Sequence, residues 1–400
     1  MSSTSEKEKT TTSSMILPAL TLSRLAARPH GVLLSILLVD VALSFSVPVG
    51  VMSQVRVFSS VMSMAFALIM GVLSIRYNPK SLLIVGSFLL IISALGCSFA
   101  PTYTALMLLY SLAGVGGAMV VPMSQALVGE HIAVEDRPRS ISYMLMTFTL
   151  VSAFITGPMI NLLAIRGGWR FAYLAYIFPL TLLGFASGRF GIPPSDKVSS
   201  VSPDNRTYFD AFREILTDRS ALACIIGTAL SAAAFQTLAI FGISSFVQRF
   251  GISTAWRTSM WSVLTFTGAI GSILSGRLVD RFGRISVSIA GVLMMSVSAA
   301  GFTNVNSFWF SLSLITLCGV GWTIYLPAST SLTLEPIPHL RGSTMSLNNA
   351  ARSLGIAIGS GIGGVILLKS GYGTLGLFLG GLGLTASVLY RLFTVDPTKT

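Results

Sequence analysis

Four hundred residues with 52% hydrophobic and only 10% charged side chains, and a mean hydropathy of +0.78, exclude the core-to-surface balance of a water-soluble domain. The formal net charge is +12, but the basic residues sit in short clusters between apolar runs rather than in one stripe, so nucleic acid is not the partner and the membrane surface is. Cys97, Cys224 and Cys318 each lie alone in an apolar stretch. Disulfides, a bound metal and a cofactor are therefore not expected.

Residues 1–30 begin with the polar, low-complexity MSSTSEKEKTTTSS and read as a cytoplasmic tail without signal-peptide features. A bilayer core of about 30 Å takes about 20 apolar residues of helix. Windows of that length follow at 31–52, 56–75, 81–100, 103–126, 142–164 and 170–191. The connection 192–220 holds Pro193, Pro194 and Pro203 with a dense run of charges, and Phe209, Phe212 and Leu216 at helical spacing predict a short helix there on the inner membrane face. Six more windows run over 221–243, 259–279, 285–303, 306–329, 345–368 and 372–393. The expected fold is an all-α membrane protein of twelve transmembrane helices in two pseudo-symmetric six-helix bundles, 31–191 and 221–394, with a short tail at 395–400.

Lys and Arg concentrate in the connections on the side of the termini, among them Arg76, Lys80, Arg137, Arg139, Arg277, Arg281, Arg284 and Arg341. Positive charge is retained inside, so both termini are expected in the cytoplasm, with the chain in the plasma (inner) membrane. Trp169, Trp256 and Trp309 then fall at the outer interface, and His30, His131 and His339 at the ends of apolar runs read as interfacial side chains.

The two halves repeat. Gly114, Val115, Gly116, Pro122, Ser124 and Glu130 recur 205 positions later as Gly319, Val320, Gly321, Pro327, Ser329 and Glu335, and the same offset carries Gly71, Leu73 and Arg76 onto Gly276, Leu278 and Arg281. Parallel repeats are a transporter architecture, because a site between them can open to each side in turn. Within the second copy, Gly276-Arg277-Leu278-Val279-Asp280-Arg281-Phe282-Gly283-Arg284 resembles the G-x-L-x-D-R-x-G-R signature of the major facilitator superfamily, in its expected place after the eighth span. A carboxylate among arginines at a helix end makes charge-assisted contacts that break and re-form, which suits a conformational switch built on Gly276, Asp280, Arg281, Gly283 and Arg284. The first copy departs from the signature: Ile75 stands at the aspartate position and Asn78 at the glycine position. Gly157-Pro158 resembles the core of the motif of the family's proton antiporters, although Asn161-Leu162 replaces its second glycine pair and Tyr110 stands where that branch carries arginine.

Ionised groups near the bilayer centre are costly and mark function, by at least about 2.5 kcal/mol on insertion scales. Asp40, counted from Gly31, lies about 14 Å into the first window. Desolvation there favours the neutral acid, and Asp40 is expected to alternate between protonated and ionised forms; a static ion pair is the other reading. Arg352 lies at matching depth in its own window and is read as a partner of Asp40, as a site for an anionic substrate, or as a cap on carbonyls at a helix break near Gly355 and Gly359. The resemblance implies a cavity lined by spans 1, 4, 7 and 10, for which Tyr110, Met119, Gln236, Trp322 and Tyr325 are candidates, together with Asn348 and Asn349 of span 11.

No G-x-x-x-x-G-K-[ST] loop is present, so ATP is not the driving force. Gly359–Gly364 and Gly371–Gly376 satisfy G-x-G-x-x-G without a preceding strand and read as close helix packing and a turn. The spans hold no paired carboxylates and no serine with a candidate base, which argues against an enzyme. The chain is expected to act as a monomer and a secondary active transporter that exports a small organic molecule in exchange for protons. A metabolite symporter or facilitator, and a non-transporting receptor, are the alternatives.

Overall fold

The structure, a computed structural model, describes residues 16–132, 136–193, 208–334, 336 and 341–395. Among these every regular element is a helix, the form in which a lone apolar segment satisfies its own backbone hydrogen bonds in lipid. In chain order they are α1 (Ile16–Ser44), a single turn Val49–Met52 leading into α2 (Gln54–Arg76), α3 (Pro79–Phe99), α4 (Tyr103–His131) and α5 (Tyr143–Phe190). They continue with α6 (Tyr208–Thr217), α7 (Arg219–Phe250), α8 (Thr254–Phe282), α9 (Arg284–Phe302), α10 (Phe308–Leu334) and α11 (Arg341–Phe393). All but the short α6 contain a stretch long and apolar enough to cross a bilayer, 10 such stretches in all. Large apolar side chains such as Phe88, Phe99, Ile273 and Val297 are exposed on these helices, as lipid-facing surfaces are.

Ten continuous segments replace the twelve separate windows because the fifth and sixth windows join in α5 and the last two in α11. The apolar stretches there are 48 and 50 residues long, about 70 Å or more if straight. Neither is straight. Gly168 (φ 79°, ψ 177°) interrupts α5 and Gly371 (φ 77°, ψ −174°) interrupts α11, both in a region that only glycine enters without strain.

The N-terminus also differs from expectation. Residues 16–25, assigned above to the tail, are helical and continue through a turn before Pro29 into Pro29–Ser44. The apolar residues Ile16, Ala19 and Leu20 are buried, and Arg24 and Arg28 place their guanidinium carbons 6.0 and 5.1 Å from the Phe148 ring centroid. The arginines had marked this stretch as a loop, although their long stems can lie along apolar surface. Asp40 consequently stands about 6 Å from the end of α1 at Ser44, not at the middle of a span.

The chain forms two compact units, one of Met1–Leu33 and Ile69–Ser202, the other of Leu34–Leu68 and Pro203–Thr400. Within the first, α3 and α4 meet at reciprocal glycines: a methyl on Gly116 would lie 2.7 Å from the Gly86 carbonyl oxygen, and one on Gly86 3.1 Å from that of Gly116. Within the second, α9 and α10 meet in the same way, with 2.7 Å from Gly321 to the Gly291 oxygen and 2.8 Å in return. The contact of Gly96 with Leu109 has its counterpart in that of Gly301 with Leu314. Each pair is displaced by the 205 positions of the repeat, and Pro122 and Pro327 stand inside α4 and α10 at the same offset. Glu335, the last member of that cluster, lies outside the described residues.

Two prolines shape α5. Pro158 and Pro179 lack the N–H that would bond four residues back, and each follows a π-helical turn, Ser152–Thr156 and Tyr173–Ile177, in which the helix widens instead of breaking. In the second unit α7 and α11 form a seam of small residues, with Gly355 against Ala229, Gly359 against Ala233 and Gly363 against Thr237. These glycines keep helical geometry and give close approach, so no helix break occurs there for Arg352 to cap. α6 forms where the sequence predicted it, but its buried side chain is Ile215, packed with Ala221 and Ile225, while Leu216 is exposed.

Candidate functional site

An ion pair between two membrane segments lies in the second unit. The Arg257 guanidinium Nη1 donates to Asp40 Oδ2 at 2.5 Å, with the arginine side chain 9% exposed and the aspartate 40%. Arg257 lies within the first turn of α8. It takes the place that the sequence reading had given to Arg352. Because α1 ends at Ser44, Asp40 reaches the start of α8 and not the middle of α11.

Arg352 sits about 17 Å from the start of α11, half-buried. Its guanidinium carbon is 5.3 Å from the Trp322 ring centroid, a cation–π contact. Among the described residues Arg352 has no acidic partner. Trp322 in turn stacks on Phe235 at 4.7 Å with ring planes 5° apart, and it contacts Tyr325 at 5.7 Å. Tyr325 points its hydroxyl into a buried network: 2.9 Å to the Tyr390 hydroxyl and 3.4 Å to Thr228 Oγ1, with Tyr390 donating to the Cys224 carbonyl at 3.2 Å. Three helices thus converge at mid-length, through Phe235 on α7, Trp322 and Tyr325 on α10 and Arg352 on α11.

Of the remaining cavity candidates, Gln236 is half-buried beside Phe235, Asn348 is buried and Asn349 is exposed. Buried in the first unit, Tyr110 stands edge-on to His30 at 6.3 Å, and Met119 lies against Gly86. His30, expected at an interface, is 1% exposed and packs edge-on between Tyr110 and Tyr173, because the helix that precedes it extends the segment. Trp169 is likewise buried, under Arg170 at 4.4 Å, since the turn at Gly168 folds it inward; Trp256 and Trp309 are exposed as expected. His131 is half-buried beside the Leu127 carbonyl, and His339 lies outside the described residues. Gly157 is buried and Pro158 half-buried just after the first π-helical turn.

In the switch motif, Gly276, Asp280 and Arg281 are exposed along the last two turns of α8, Gly283 is buried and Arg284 is half-buried at the start of α9. Gly283 ends one helix and begins the next at φ 83°, ψ 159°. The first copy solves the same corner differently. Asn78 keeps an ordinary φ of −60° and caps α3, its side chain accepting from the Lys80 N–H at 2.8 Å. That accounts physically for the loss of the glycine: an N-capping asparagine needs no left-handed backbone. Gly283→Ala is accordingly expected to cost about 1–2 kcal/mol through backbone strain, and Asn78→Ala about 1 kcal/mol through the lost cap. Gly283→Asn should not rescue the corner, and thermal unfolding of the three purified variants measures the difference.

Phe235 and Arg257 were not singled out in the sequence, and His30 was read only as an interfacial side chain. The phenylalanine is one of 24, and the two polar residues fell just outside the apolar windows drawn around them.

The Major Facilitator Superfamily profile matches residues 20–360 and 262–400. The chain is 24% identical over 359 residues to the uncharacterized MFS-type transporter YwoD of Bacillus subtilis, covering 75% of this chain and 78% of that protein. It is 26% identical over 255 residues to the gentisate transporter of Corynebacterium glutamicum, covering 57% and 54%. A bacterial homologue of the human lysosomal transporter Spinster, solved inward-facing, shares the fold with a TM-score of 0.74 at 15% identity, over 96% of this chain and 99% of that one. With that profile spanning its apolar helices, the chain belongs to the Major Facilitator Superfamily and is a multi-pass integral membrane protein.

Proposed function

We propose that the protein is a secondary active transporter that works by alternating access and exports a small organic molecule in exchange for protons. The breaks at Gly168 and Gly371 turn α5 and α11 back on themselves, so ten segments make twelve crossings, with both termini cytoplasmic in the plasma (inner) membrane. The observation that carries the coupling is the Asp40–Arg257 pair. A proton taken up by Asp40 leaves Arg257 without its counter-charge and frees α1 from α8. Each proton moving inward down the membrane potential supplies about 2.3 kcal/mol per 100 mV, enough to drive such a change. The motif around Asp280 and Arg281 acts as the cytoplasmic switch, the widened helix at Gly157-Pro158 as a hinge, and Gln236, Trp322, Tyr325 and Asn348 line the substrate site. Relatives named for gentisate transport and probable sugar efflux support movement of a small organic solute.

Proteoliposomes carrying a pH-sensitive dye and a panel of sugars, nucleosides and carboxylates test this. Exchange predicts solute-induced proton flux opposite to solute flux, reduced at least about tenfold in Asp40→Asn. Flux of both species in the same direction selects a symporter, and solute movement indifferent to pH and to Asp40 removes the coupling.

A further inference from the structure

The second unit combines a cation at helix mid-length, without an acidic partner among the described residues, with a stack of aromatic rings. Asp40 already answers Arg257. The other carboxylates of the unit described at helix positions lie away from mid-length: Asp218 caps α7, Asp280 is in the last turn of α8, and Asp210 and Glu214 are on α6. Among the described residues Arg352 therefore keeps its charge without an acidic partner, its guanidinium resting on the Trp322 ring. A mid-membrane cation is costly unless something answers it. The guanidinium fork matches a planar carboxylate, which it holds through two parallel hydrogen bonds.

The surroundings specify the rest of the ligand. Arg352 is fixed over Trp322, Trp322 lies flat on Phe235, and Phe235, Gln236 and Arg352 all retain accessible surface. Trp322 thus touches both the guanidinium and the Phe235 ring, and joins the cation to the partly accessible aromatic surface. A sugar or a nucleoside leaves the cation unanswered, and a cationic drug meets Arg352 with like charge. We propose that the site formed by Arg352, Trp322 and Phe235 binds a small aromatic carboxylate, its carboxylate on Arg352 and its ring against the Phe235–Trp322 stack. This rests on the transporter reading for its purpose, but not for its test.

Equilibrium binding to the detergent-purified full chain, followed by tryptophan fluorescence, supplies that test with benzoate, benzyl alcohol, acetate and benzylamine as probes. Benzoate is expected to bind, and each of the others about tenfold or more weakly. Arg352→Gln should weaken benzoate about 10- to 100-fold, the range for a lost hydrogen bond to a charged group. Arg352→Lys should recover part of the loss, and Phe235→Leu should weaken benzoate while leaving acetate unchanged. Benzyl alcohol binding as well as benzoate, or wild-type benzoate affinity in a monodisperse Arg352→Gln protein, overturns the proposal. Benzoate binding without flux in proteoliposomes leaves the site standing and removes the transporter reading. Flux of other solutes with no benzoate binding does the reverse.

Discussion

Gly359→Ala is expected to destabilise the protein by about 2–3 kcal/mol, while Gly381→Ala on the same helix stabilises it by about 0.5–1 kcal/mol. A methyl at Gly359 would stand 2.6 Å from the Ala233 carbonyl oxygen and 2.6 Å from Thr237 Oγ1, whereas one at Gly381 meets nothing within 4 Å. The obstruction at Gly359 is backbone, which cannot rotate away as a side chain can, so α7 and α11 must separate. Separation loosens the seam on either side, at Gly355 and Gly363. At Gly381 only the entropy of the unfolded chain changes, in favour of the folded state. Thermal unfolding of the purified variants measures both, and equal effects of the same sign would refute the seam.

Asp40→Ala is expected to cost about 2 kcal/mol, below the 3–5 kcal/mol of a fully buried pair because the aspartate is partly exposed. The cost arises at Arg257, whose side chain is only 9% exposed and which then keeps a charge without a partner. Arg257→Met in the Asp40→Ala background should recover most of that loss, since an apolar side chain of similar length needs no counter-charge. The double-mutant cycle then gives a coupling energy of about 1–2 kcal/mol. Additive effects would show that the two side chains do not depend on one another.

Much of the architecture was legible because lipid imposes one rule on every segment. Apolar windows located the helices, and the repeat read from Gly114–Glu130 extended in the structure to Gly86, Gly96 and Leu109 with their second-half counterparts. Window reading failed where arginines interrupt an apolar run. Arg24 and Arg28 hid the start of α1, and that error displaced Asp40 from helix end to midplane and paired it with the wrong arginine. Trp322, Tyr325 and Arg352 could be named as polar or aromatic residues at mid-depth, and their side chains do meet. Phe235 could not, because an apolar ring in an apolar helix carries no signal until its stacking partner is known. The departure of Asn78 from the signature is a helix cap.

Alternating access means that one mid-membrane position must be reachable from both sides of the bilayer, though never from both at once. Cys97, Cys224 and Cys318 are buried, so a cysteine placed at Gln236, half-buried midway along α7, reports against a quiet background. A membrane-impermeant maleimide applied to right-side-out and to inside-out vesicles should label Gln236→Cys in both. Imposing a proton gradient should raise labelling from one side as it lowers labelling from the other. Labelling confined to one face whatever the gradient would contradict transport by this mechanism.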